Sequence, residues 1–444
     1  MQFPLLSRSG LLKKLIAEST SEDGSSSVLQ LHDVPGGAKT FELITKFCYG
    51  VKLEITALNV VSLRCAAEYL QMTENYGADN LIGHTESFLN EVFSNWPDSI
   101  KALETCEEVQ NFAEDLHIFS RCIDSLAMKA CSDPDLFNWQ VTGRNDAKNQ
   151  EDHESWNGMS CESRPQPVGD NWWFYDVSLL SLPLYKRLIL AIELKGMKSE
   201  TIAASLIYYL RRFLPLMNRQ SSFKDTNHAI IPTTSEADQR GLLEEIIELI
   251  PNKRGVTSSK HLLRLLRTAM ILHASPSCKE NLEKRVGAQL DQASLVDLLI
   301  PNMGYSVETL YDIDCIQRIL DHFMSIYQPA SLSASPCITE IGTLVAGVDT
   351  LTPMTMVANL VDGYLAEVAS DANLNLSKFQ ALAVAIPDYA RPLDDGIYHA
   401  IDVYLKVRPS CIPFFANYTF YMHSFPMLQG CKMFWHNNRK FMKN

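Results

Sequence analysis

The chain has 444 residues, 46% of them hydrophobic, a formal net charge of −13 and 11 cysteines. That length carries two or three domains with cores of their own, and a mean hydropathy of −0.06 suits globular packing rather than a membrane span. No apolar run reaches the roughly 18–20 residues of a spanning helix, no secretory leader opens the chain, the acidic balance repels a phosphate backbone, and the cysteines form no CxxC or Cys/His cluster; the expectations are a soluble, cytoplasmic protein with reduced thiols, no nucleic-acid partner, no cofactor and no metal.

Residues 1–98 read as short helices around one strand. Residues 3–9 and 11–16 have helical patterning, 19–27 are serine-rich, and Val28, Leu29 and Leu31 suggest a strand that turns at Asp33, Pro35, Gly36 and Gly37. Amphipathic helices follow at 40–49 (TFELITKFCY) and 59–72 (NVVSLRCAAEYLQM). The order LHDVPGGAKTFELITKFCYG, LNVVSLRCAAEYLQM and a helix ending SFLNEVF resembles the central and C-terminal parts of a BTB/POZ domain, with Phe41, Phe47, Tyr49, Gly50, Asn59, Ala67, Tyr69 and Leu70 at the positions that define it. The resemblance implies an α/β domain that opens with a strand hairpin and a long first helix ahead of FPLLSRS, whereas this chain starts at Met1. The expectation is a BTB/POZ domain lacking its first strands and helix, through an incomplete gene model or genuine loss, with weakened homo- or hetero-dimerisation and a tendency to aggregate.

Residues 99–131 carry two further amphipathic helices, Ile100, Leu103, Cys106 and Val109 on one and Leu116, Ile118, Phe119, Cys122, Ile123 and Leu126 on the next, resembling the helical extension that follows many BTB domains. Residues 132–170, with three prolines and an acidic excess but no period, read as a disordered linker that proteases cut first.

The next stretch, NWWFYDVSLLSLPLYKRLILAIELKGMKSETIAASLIYYLRRFLP, sets the organisation of the rest. Trp172 and Trp173 anchor it into a core. Ser181 caps a first helix with Pro183 in its opening turn and Gly196 as its stop; Ser199 caps a second, with Glu200 at its positive end and Ile202, Leu206, Leu210 and Phe213 as its stripe until Pro215. A short connection makes the two antiparallel. The pattern WWxxDVxxLxxPxxxRxIxAI resembles the opening of the large helical domain in the plant non-phototropic-hypocotyl type (root phototropism type) family of BTB-containing signalling adaptors. Further helices are expected at 241–250, 258–272, 290–300, 312–327, 353–370 and 376–386, an irregular array without a repeat. The likeness continues in DIDCIQRILDHFM, LTPMTMVANLVDGYLAEVASDANL and FQALAVAIPDYARPLDDGIYHAIDVYLK, then stops at Lys406; the aromatic-rich tail 407–444 departs from it and reads as aberrant. The expected fold is mainly α: a truncated α/β BTB/POZ part over 1–98, a helical extension over 99–131, the linker, and a family-specific all-helical domain over 171–406.

Candidate chemistry is sparse. Gly36-Gly37-Ala38-Lys39-Thr40 echoes a phosphate loop but lacks its glycine spacing, so a strand-to-helix turn is the plainer reading. Cys315 with Asp314 and His322 suggests a nucleophile and base, or one face of a packed helix. Glu42 with Glu54, and Asp394 with Asp395, are acid/base pairs on paper, or solvated carboxylates. Asn375 and Asn417 open sequons that matter only in a secreted protein. Lys253, Arg254, Lys260, Arg264 and Arg267 lie beside Leu262, Leu263, Leu265 and Leu266, a surface for acidic lipid or a phosphorylated partner, or a core helix with a solvated face. Arg391, Asp394 and Tyr398 fit the loose pattern tied to tyrosine phosphorylation in the family, which makes Tyr398 the candidate phosphorylation site. The resemblance implies a non-enzymatic adaptor: the BTB part docks cullin-3, and the helical domain holds a client such as a photoreceptor or other kinase, with at most peripheral contact at the plasma membrane. The alternative is a signalling scaffold that couples receptor kinases to membrane or transport machinery without a ligase.

Overall fold

The computed structural model describes residues 3–19, 30–77, 80–132, 171–217, 235–303, 309–327, 352–391 and 395–409. Among these residues the fold is mainly α, with short 3₁₀ turns and an isolated antiparallel bridge between Pro301 and Tyr311. The strand expected at 28–31 does not form in its described part: Leu31 lies in an irregular segment and is held instead by packing against neighbouring helices. The expected linker, the tail and Asp394 fall outside the described residues. The chain divides into two compact units, Met1–Arg212 and Phe213–Asn444.

In the first unit α1 (Phe3–Arg8) and α2 (Gly10–Ser19) precede α3 (Gly37–Cys48) and α4 (Val60–Tyr69). The turn into α3 needs glycine at position 36, where φ is 71° and an added Cβ would stand 2.1 Å from Thr40 Oγ1 and 2.8 Å from Ser62 Cβ. α4 is apolar on most sides and accordingly buried at Val60, Val61, Leu63, Cys65, Ala66 and Ala67. α5 (Leu81–Ser94) starts where Asn80 Oδ1 accepts from the Gly83 amide at 2.8 Å, and α6 (Trp96–Cys106) where Asn95 Oδ1 accepts from the Asp98 amide at 3.1 Å. The two helices expected over 99–131 are three, α6, α7 (Gln110–Asp115) and α8 (Ile118–Ala130): a 3₁₀ turn at Glu107–Val109 separates the first two, and His117, at a left-handed φ of 56°, the last two. After α9 (Phe174–Val177) come α10 (Leu182–Leu194) and α11 (Ser199–Phe213), joined through Gly196 at φ 94°. They form the expected antiparallel hairpin: Tyr185, near the start of α10, stacks on Tyr209, near the end of α11, with ring centroids 4.0 Å apart. Two of its expected caps differ. The Ser181 hydroxyl donates to the Glu107 carboxylate instead of accepting from its own helix, and Ser199 is already helical.

The second unit begins with α12 (Glu236–Leu249), opened by a reciprocal Ser235–Asp238 capping box. α13 (Ser259–Ile271) and α14 (Pro276–Gly287) follow serine caps at Ser258 and Ser275. α14 has no counterpart among the expected helices, and the helix expected at 290–300 is instead a 3₁₀ turn (Leu290–Gln292) and the short α15 (Leu295–Leu298), separated by extended Ala293. α16 (Ile313–Tyr327), α17 (Pro353–Val368), α18 (Leu376–Ala385) and α19 (Asp395–Val407) complete the unit. α14 crosses α16 closely enough that only glycine fits at 287: a Cβ there would meet His322 Cβ at 2.8 Å and the Ile319 carbonyl oxygen at 2.9 Å.

Candidate interaction surfaces

The residues that carried the BTB likeness meet in one place. Ala67 and Leu70 are buried in a cluster with Leu12, Ile44, Cys48, Leu63 and Met72, and Phe41, Phe47 and Tyr69 pack on it from the rim. Tyr69 donates to the His32 carbonyl at 2.8 Å, and the Arg8 guanidinium lies 5.1 Å above the Phe47 ring. Asn59 holds the approach to α4, its Oδ1 accepting from the Thr56 amide at 2.8 Å and its Nδ2 donating to the Glu54 carbonyl at 3.0 Å. Gly50 takes φ 72° after α3. Around it Tyr49 and Val51 stay 46% and 53% exposed, and Leu58 further on is 61% exposed.

The run at 171–212 belongs physically to this same unit. Trp96 Nε1 donates to Asp176 Oδ2 at 2.8 Å, and the Trp96 and Trp172 rings meet edge to face at 4.7 Å. Arg187 pairs with Glu114 at 2.8 Å and lies 4.3 Å over the Phe119 ring, and Lys195 pairs with Asp124 at 3.2 Å. Trp96 had no mark in the sequence as a partner for Asp176, 80 positions away.

The chemical candidates do not converge. Cys315 is buried and its Sγ donates to Glu283 Oε1 at 3.6 Å; burial, with the Glu283 and Asp312 charges, pushes this thiol far above its ordinary range. Glu283 is itself buried and forked by Arg318, Nε to Oε2 at 3.0 Å and Nη2 to Oε1 at 2.8 Å. Asp314 pairs with Lys378 at 2.9 Å, and His322 faces Gly287 across the α14–α16 crossing. Burial also raises Cys48 to about 11 and Cys65 and Cys106 to about 12, which leaves each an unreactive thiol. Glu42 pairs with Lys46 at 2.8 Å, whose hydrogen bond and charge hold its carboxyl below the ordinary range, while Glu54 is exposed. Asn375 caps α18 by accepting from the Ser377 amide at 2.9 Å; Asn417 lies outside the described residues.

The basic segment is largely engaged. Arg254 donates to Asp291 at 2.6 Å and to the Tyr327 hydroxyl at 2.5 Å, and Arg267 Nη2 donates to the carbonyls of Val296, Asp297 and Leu299 at 3.1, 2.6 and 3.2 Å, closing the end of α15. Leu262, Leu263, Leu265 and Leu266 are all buried and Arg264 is half-buried, so α13 is a core helix, and Lys253 and Lys260 remain exposed. Arg391 is buried against Asp362, with Nε 3.1 Å from Oδ1 and Nη2 3.0 Å from Oδ1, and its Nη1 donates to the Ile386 carbonyl at 2.9 Å. Tyr398, half-buried, sits in the first turn of α19. Among the described residues no His, Cys, Asp or Glu group is placed to hold a metal ion, and no helix is long and apolar enough to cross a membrane.

Residues 171–412 match the NPH3 family. Over 92% of its length the chain is 64% identical to BTB/POZ domain-containing protein At5g03250 of Arabidopsis thaliana, covering 70% of that protein. It is 50% identical to BTB/POZ domain-containing protein At1g30440 and 37% identical to Root phototropism protein 3, both of Arabidopsis thaliana, in each case over 92% of this chain, covering 63% and 66% of theirs. The chain thus spans roughly two-thirds of these relatives. No solved structure matches it. With a matched region of more than half its length and relatives aligned through both units, the chain belongs to the NPH3 family of plant BTB/POZ domain-containing proteins.

Proposed function

We propose that the chain is the substrate-recognition adaptor of a cullin-3 RING E3 ubiquitin ligase in plant phototropic, blue-light or auxin-linked signalling, and that it carries no chemistry of its own. The observation that carries this reading is the alignment of BTB/POZ relatives, Root phototropism protein 3 among them, across both the BTB-like helices and the family-matched region. The exposed apolar side chains of Tyr49, Val51 and Leu58 are suited to a helical scaffold partner, and the second unit is left to hold a kinase client. On this reading Tyr398, in the first turn of α19, is the phosphorylated residue.

Affinity purification of the tagged chain from light-treated seedlings, read by mass spectrometry, tests the reading. Cullin-3 and ubiquitin machinery are expected to co-purify and to fall at least about tenfold when Leu58→Asp and Val51→Asp are combined, since a charge at a desolvated contact costs more than the roughly 1.4 kcal/mol of a decade. Kinases recovered without cullin-3 would favour a scaffold that couples receptor kinases to membrane or transport machinery. Phosphotyrosine at 398 is sought in the same material.

A further inference from the structure

In the second unit, the loop between α12 and α13 and the side of α14 form a recess of about 30 Å³, lined by Asn252, Lys253, Arg254, Thr257, Arg285 and Gln289 together with apolar Pro251, Leu262 and Ala288. It adjoins a wider cleft along α14, of about 430 Å³, to which Ser277, Glu280, Asn281 and Lys284 contribute.

Four cations line these spaces, Lys253, Arg254, Lys284 and Arg285, and two carboxylates answer them: Asp291 holds Arg254 at 2.6 Å and Glu280 holds Lys284 at 2.6 Å. The surplus stands out in a chain of net charge −13. Arg285 is half-buried, and its partners are neutral: Asn281 Oδ1 at 2.7 Å and the carbonyls of Ile250 at 2.7 Å and Ile247 at 3.4 Å. Three of its five N–H groups are occupied, which leaves two for a ligand.

Thr257 supplies an independent observation. It is 5% exposed, it lines the recess, and its Oγ1 has no hydrogen-bond partner. A buried hydroxyl without a partner is unfavourable. Gln289 pins the loop from both sides, Nε2 donating to the Thr257 carbonyl at 2.7 Å and Oε1 accepting from the Gly255 amide at 2.9 Å.

We propose that this pocket binds the phosphate of a phosphorylated serine or threonine on a partner protein, with Arg285, Lys253 and Thr257 as its donors. At about 30 Å³ the recess suits a small oxyanion better than an aromatic ring. The amide and hydroxyl groups of Asn252, Ser277 and Asn281 along the cleft suit the main chain on either side of such a residue. Glu280 on the same cleft opposes an extended anionic surface such as a membrane. The site stands independently of the adaptor reading.

The test uses the full chain, a fluorescent peptide pool degenerate around a central phosphoserine, and the same pool with serine. Thr257→Val is isosteric and breaks no side-chain hydrogen bond of the folded protein, and Lys253→Gln changes an exposed residue, so both variants are expected to fold. The wild type is expected to bind the phosphorylated pool at least about tenfold more tightly than the other, with about tenfold loss in T257V and a smaller loss in K253Q, and inorganic phosphate is expected to compete at millimolar concentration. Competition by phosphate without preference for the phosphorylated pool identifies a free-anion site and overturns the partner. Equal binding of both pools without such competition, variants that bind like wild type, or binding only to phosphatidylcholine vesicles containing phosphatidylinositol 4-phosphate overturns the proposal.

Discussion

Lys129 is a charged residue in a buried place. On α8 it is only 8% exposed, its ammonium held by the Phe93 carbonyl and by the hydroxyls of Ser125 at 3.0 Å and Ser99 at 3.2 Å, and burial pulls its pKa down to about 8. The folded chain therefore releases this proton before the unfolded chain does. Between pH 8 and about 10.5 the unfolded state binds more protons, so this group's contribution to stability rises with pH through that window; below it the cost of burying the charge is present in full. The urea midpoint of the wild type relative to Lys129→Met is expected to climb from pH 7.5 to pH 9.5, and a constant difference would show that the amine is solvated. The position is legible in the sequence once helix spacing is applied, since Cys122, Leu126 and Lys129 share one stripe; so is that of Asp362, which lies with Ala358, Val361 and Leu365 on the buried side of α17. What no spacing conveys is the partner. Arg391 reads as part of a loose kinase pattern until the fold puts it on Asp362, and Cys315 reads as a nucleophile until Glu283 arrives from another helix.

Among elements, the sequence was most informative where caps and stripes agreed. α13, α16, α17 and α18 begin and end within about two residues of expectation because polar caps, proline and apolar periodicity all point to one boundary. α14 carried the same cues, a serine cap at 275, proline at 276 and Cys278, Leu282 and Val286 spaced by four, but its many charges obscured the stripe. The 290–300 segment is apolar enough for a helix, yet Arg267 fixes three of its carbonyls from outside and it folds as two short turns. The crossing of α14 over α16 gives a direct test. Gly287→Ala has to move either the Ile319 carbonyl or the His322 side chain, and an overpacked contact of that kind costs about 1–3 kcal/mol. Chemical denaturation is expected to show that loss; an unchanged midpoint would mean that the two helices separate without cost.

For the whole molecule the sequence placed the family likeness, and the compact units add a division of their own. Composition sets a boundary at 132–170, whereas the compact units divide at 212/213, so α9, α10 and α11 pack with the helices that precede them in the chain. Paired aromatics signalled a core at Trp172 and Trp173 without saying whose core, and the answer depended on Trp96. Limited proteolysis is still expected to cut first within 133–170, on composition alone. The two products are expected to elute together at the size of the intact chain, because the Trp96–Asp176, Arg187–Glu114 and Lys195–Asp124 contacts bridge the cut. Separate elution of the fragments would show those contacts to be weak. The same bridging bears on where two such chains can be joined into a hybrid. A crossover at 171, where the family match begins, parts Trp96 from the Trp172 and Asp176 of its own chain and seats it on those of another, whereas one at 213 moves a unit with its own interior. Viable hybrids between relatives, natural or built, should therefore be joined at the second seam and keep the paired tryptophans with the helices they were selected beside.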